Sequence, residues 1–104
     1  MTYTKAEDVR SPKEHWMLIQ VLVDQGESPQ EGEGRWSLAI GEWDGQRRLA
    51  ARWNGRDGRV AGNPQSRGIA TWFVLPPAFE KPLLESSIIP EDRLALAKAL
   101  LNVR

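Results

Sequence analysis

Residues 36–53 read WSLAIGEWDGQRRLAARW, two runs of alternating side chains on either side of Asp44-Gly45. An Asp-Gly pair between such runs is the strongest short-range signal for a two-residue hairpin turn, because both turn residues must take positive φ. With that turn, Trp43 faces Gln46 and the later pairs follow: Glu42–Arg47, Gly41–Arg48, Ile40–Leu49, Ala39–Ala50, Leu38–Ala51, Ser37–Arg52 and Trp36–Trp53. Side chains alternate faces along a strand. One face therefore carries Trp36, Leu38, Ile40, Leu49, Ala51 and Trp53, closed by Glu42–Arg47, and reads as core. A slip of one residue would set apolar side chains against polar ones, so the pattern itself selects the register.

The opposite face carries Ser37, Ala39, Gly41, Trp43, Arg48, Ala50 and Arg52, a floor almost free of bulk with arginines and a tryptophan at its edges. Two readings are open. A strand of nucleic acid could approach the backbone there, arginines on its phosphates and Trp43 on a base. Alternatively the C-terminal helix lies on the smooth floor and Arg48 and Arg52 reach past it to water.

Outward from the hairpin, His15–Asp24 (HWMLIQVLVD) reads as a strand, and 25–34, acidic and rich in Gly and Pro, as a loop. The hairpin strands are expected over Arg35–Trp43 and Arg47–Asn54. A loop over 55–66 precedes a fourth strand, Arg67–Leu75, which Pro76-Pro77 ends. Ala78–Ser86 suits a short helical turn broken near Pro82. Pro90 suits a first helical position, with Glu91 and Asp92 at the positive end of the helix dipole. Leu94, Ala97 and Leu101 then form one stripe, and Leu96, Leu100 and Val103 an adjacent one. That arc is wide enough for the sheet and for a second copy of the helix. Residues 1–13 are polar and without period, and read as a flexible arm before a single domain over 14–104. The order is β-β-β-β-α with no βαβ unit, an α+β fold on an antiparallel sheet.

Composition narrows the function classes. The 104 residues include no cysteine, which excludes disulfides, thiolate metal sites and cysteine nucleophiles. No apolar run approaches the ~20 residues of a membrane-spanning helix. The charged opening MTYTKAEDVRSPKEH does not read as a signal peptide, and a cytoplasmic setting with no membrane partner is expected. Formal net charge is zero, but Arg35 to Gly68 holds seven arginines against three acidic residues, and no lysine. Arginine offers a planar fork for phosphate and a flat face for stacking. The plain alternative is a salt-bridged solvent face. His15, the single histidine, lacks clustered carboxylates in sequence and reads as structural. Asp24, Glu27, Glu31 and Glu33 lack a calcium-loop spacing. Trp16, Trp36, Trp53 and Trp72 read as core or interface, and Trp43 as the tryptophan best placed for exposure.

The stretches IGEWDGQRRLAARWNG (40–55) and SRGIATWFVLP (66–76) resemble the positive cofactor 4 family, transcriptional coactivators and their small bacterial relatives. The shared pattern is Trp43, Gly45, Arg52-Trp53 and Arg67-Gly68-Ile69, in that order. The resemblance implies a four-stranded curved antiparallel sheet followed by a C-terminal helix that mediates homodimerisation. It also implies single-stranded DNA or RNA bound across the sheet near Trp43, Arg52 and Arg67. Asp44 and Gln46 stand where that family is rich in lysine, Gly41 stands at a basic position, and the fourth strand runs longer. The expected nucleic-acid-binding residues are Arg35, Trp43, Arg47, Arg48, Arg52, Trp53 and Arg67, with no cofactor, no metal and no catalysis. The alternative is a protein-interaction module using the apolar fourth strand and the C-terminal helix. A carbohydrate-binding sheet fits the arginines less well.

Overall fold

Three long strands, β1 (Trp16–Asp24), β2 (Trp36–Trp43) and β3 (Gln46–Trp53), form the body of the sheet in the computed structural model. The structure describes residues 3–31, 34–57 and 62–102. Glu33, Arg59 and Val103 lie outside the described residues. Asp44 and Gly45 both take positive φ, 48° and 85°, which matches the right-handed twist of the strands they join. All eight β2–β3 pairs fall in the register derived above, from Trp43↔Gln46 to Trp36↔Trp53. β1 pairs antiparallel with β2, with irregularities between Leu18 and Gln20 and between Val21 and Val23. On the outer edge of β1, Arg93 donates from Nη1 to the Val21 carbonyl at 2.9 Å, occupying an acceptor that another strand could otherwise use.

The fourth strand differs from expectation. Gln65–Ser66 (β4) and Ile69–Ala70 (β5) pair with each other as a separate small hairpin. Only Phe73–Val74 (β6) joins the sheet, beside Ala51 and Ala50 of β3. The cause is local: Arg67 and Gly68 both adopt positive φ, 52° and 79°, so the chain doubles back before it reaches the sheet. Thr71 and Trp72 are held elsewhere, their N–H groups bonded to the carbonyls of Pro64 and Ser11. The main sheet is thus four-stranded and antiparallel in the order β1-β2-β3-β6, with helices after it, an α+β architecture.

Two apolar layers sandwich the sheet. On one side Leu22, Leu38, Ile40, Leu49 and Leu75 pack against Leu84, Ile89 and Ala97 from the helical C-terminal part. There α1 (Glu80–Leu84) follows a 3-10 turn, and Pro82 sits in its first turn, where a missing N–H costs nothing. The second helix, α2 (Glu91–Leu101), has Pro90 at its N-cap, one position earlier than expected, and Asn102 in the left-handed region at its end. Leu94, Ala97, Leu100 and Leu101 all belong to this layer, while Leu96 is exposed. On the other side Ala39 and Ala50 pack against Ala6, Val9, Trp16 and Trp72. Residues 3–13, expected as a free arm, therefore supply part of a core. Among the described residues, no helix is long and apolar enough to cross a membrane.

Candidate nucleic-acid interface

The small-residue face of the hairpin is interior, which corrects the surface drawn from sequence. Ser37, Ala39 and Ala50 are fully buried. A methyl group on Gly41 would lie 2.5 Å from both the Met17 carbonyl oxygen and the Trp16 ring. The close approach that the small residues permit is taken by the chain's own indoles. Trp16 rests on Gly41, and Trp72 lies in the same layer as Ala39 and Ala50, its Nε1 donating to the Val9 carbonyl at 2.8 Å. α2 does not cover this floor either, since it packs on the opposite face.

Arg52 is buried among these groups, only 4% exposed. Its guanidinium donates to the Thr71 carbonyl. Desolvation lowers its pKa, opposed by the neighbouring Tyr3. Burial in turn raises the Tyr3 pKa, with Asp24 and Glu27 adding to the effect. Arg52 is therefore a structural cation rather than a phosphate contact on an open surface. Beside it, Ser37 Oγ donates to Asn54 Oδ1 at 2.7 Å, and Asn54 Nδ2 donates to the Gly26 carbonyl at 2.7 Å.

The remaining expected residues are not brought together. Trp43, Arg47 and Arg48 lie at the turn end of the hairpin. Arg47 donates to the Leu100 carbonyl at 3.2 Å, and Arg48 donates to the Arg47 carbonyl and to Gln46 Oε1. Trp43 is half-buried, its ring 5.2 Å from that of His15. His15 Nδ1 is 2.9 Å from Asp44 Oδ1, a hydrogen bond that raises the histidine pKa and ties the residue before β1 to the hairpin turn. Arg35 and Trp53 lie at the open end, about 20 Å away along the strands. Arg67 is exposed at the tip of the β4–β5 hairpin.

The open end carries the group that sequence reasoning did not assemble. Trp36 and Trp53 are directly opposite, and the neighbouring pair Ala51↔Phe73 lies on the same face. Trp53 is 51% and Phe73 58% exposed, so the Trp36–Trp53 pair is not the closed core expected of it. Length explains this: α2 spans about 16 Å, whereas an eight-residue strand spans about 26 Å. Among the described residues, the aromatic rings border a cleft of about 480 Å³ with Ala51, Arg52, Asn63 and Pro64.

This end is well anchored. The Trp53 N–H donates to the Asn63 carbonyl at 2.7 Å, and the Asn63 N–H returns a bond to the Trp53 carbonyl at 3.1 Å. Gly34 lies against the Trp53 indole, where a methyl group would sit 3.4 Å from Cε3. Ser28 ties the preceding loop down, accepting from the Arg35 N–H at 3.0 Å and donating to the Asn54 carbonyl at 2.8 Å. Among the described residues, no group of three or more His, Asp or Glu side chains could hold a metal ion. No family model, curated protein or solved structure matches the chain, so the likeness to the positive cofactor 4 pattern stands on the quoted residues alone.

Proposed function

We propose that this chain binds single-stranded DNA or RNA at the open end of the β2–β3 hairpin, with bases stacked on Trp53 and Phe73. The observation that carries the reading is the pair of aromatic side chains, each more than half exposed, on one face beside a cleft. Leaving such rings exposed to water is unfavourable, and base–aromatic stacking contributes about 1–3 kcal/mol per base with little sequence preference. Arg35, exposed at the start of β2, supplies charge for a phosphate next to that platform. The reading is one of capture without a chemical step, and a homodimer would double the number of platforms.

The test is fluorescence anisotropy with labelled oligo-dT and oligo-U. Affinity falls as salt is raised, as expected when arginines release counterions from phosphates. The double variant Trp53→Ala, Phe73→Ala loses binding while keeping the wild-type far-UV spectrum. Absence of binding at low salt, or unchanged binding by the double variant, would rule the proposal out. A second reading, a protein-interaction module, draws on Phe79 and Leu96, exposed by 50% and 42% on the helical side. It predicts a stoichiometric protein complex that substitutions at those two positions disrupt.

A further inference from the structure

We infer that the cleft between Trp36, Trp53 and Phe73 is a slot for one unstacked base, and that Asn63 distinguishes bases within it. This rests on the nucleic-acid reading above. A flat stacking platform needs only exposed rings. Here the three aromatic residues instead stand around Ala51, the small residue paired with Phe73, which leaves depth between them for an inserted ring. The volume, about 480 Å³, falls within the range of small-ligand sites.

The rim supplies a polar reader. Both backbone groups of Asn63 are engaged with the backbone of Trp53, so the two residues are held side by side. Its side-chain amide makes no hydrogen bond among the described residues, and Asn63 itself is exposed. An amide offers a donor and an acceptor side by side, the complement of the paired donor and acceptor on a base edge. Arg52 also borders the cleft, but its guanidinium already serves the Thr71 carbonyl. Pro64, with no N–H, adds an apolar wall and no competing donor.

The experiment titrates the full chain with labelled oligo-dA, oligo-dC and oligo-dT at one salt concentration. Wild type is expected to separate the strongest from the weakest probe by about fivefold or more, the lower end of what one good amide–base pair discriminates. Asn63→Ala brings the three probes to about the same affinity, near that of the weakest. Trp53→Ala weakens all three by about tenfold and keeps their order. Equal binding of the three probes by wild type, or an undiminished spread in Asn63→Ala, overturns the base slot. In that case loss of binding in Trp53→Ala still upholds the stacking surface. If wild type binds none of the probes, the binding reading falls and the slot with it.

Discussion

Trp72 and Phe73 are neighbours in the chain and lie on opposite sides of the sheet. Trp72 is 3% exposed, bonded through its indole N–H to the Val9 carbonyl and packed in the layer of Ala39 and Ala50. Phe73 is 58% exposed and lies over the cleft beside Ala51. The same contrast divides the two faces of the hairpin. On one, small residues are matched by large side chains from distant parts of the chain. On the other, beyond the reach of α2, large side chains meet a small one and leave a space. A bare floor in a strand pattern thus marks where the chain itself comes closest, and uncovered rings mark where something else can.

Substitutions on the two faces should separate stability from binding. The largest effect is expected from Trp72→Ala, which leaves a cavity and an unpaired Val9 carbonyl. A loss of about 3–5 kcal/mol would lower the melting temperature sharply by circular dichroism, whereas Phe73→Ala should leave it close to wild type. Gly41→Ala comes next. Its methyl group meets backbone at Met17 as well as the Trp16 ring, and overpacking of this kind costs about 1–3 kcal/mol. Wild-type stability for Gly41→Ala in urea melts would show that the floor is not closed.

Arg52→Met is expected to act on the same side. It keeps much of the buried stem but leaves the Thr71 carbonyl without its donor, a loss of about 1–3 kcal/mol. At temperatures where the variant stays folded, its oligonucleotide affinity should match wild type. A selective loss of binding with unchanged stability would return Arg52 to the ligand surface. The smallest effect belongs to His15→Gln. The hydrogen bond to Asp44 raises the folded-state pKa of His15 above its ordinary 6.5. Its contribution is therefore complete below that value and fades as pH rises through the raised pKa. The stability gap between wild type and variant should be wider in mildly acidic than in mildly alkaline urea melts.

Much of the architecture was legible in sequence because it is local. The hairpin register follows from alternation and the Asp44-Gly45 turn, and α2 from Pro90, its acidic first turn and the Leu94–Ala97–Leu101 stripe. What covers the floor was not legible. Ala6 and Val9 sit in a polar stretch with no period, and the contact that seats them joins residues 63 positions apart. The fourth strand broke up because Arg67, a residue with no special tolerance for positive φ, takes that conformation beside Gly68. Trp53 is legible as a binding residue from the family pattern, but the arginine face offers it no companions. Phe73 was hidden inside WFVL, a run apolar on both faces, where alternation cannot say which side is left uncovered.

The bridge between Ser11 and Thr71 also sets an order of events. Residues 3–13 are made before Trp72, and their place against Ala39 and Ala50 is not complete until Trp72 has been added. Long-range closure of this kind is slow compared with forming a hairpin. The hairpin's small-residue face is therefore covered only by a closure that spans 63 positions, a later event than formation of the hairpin beneath it.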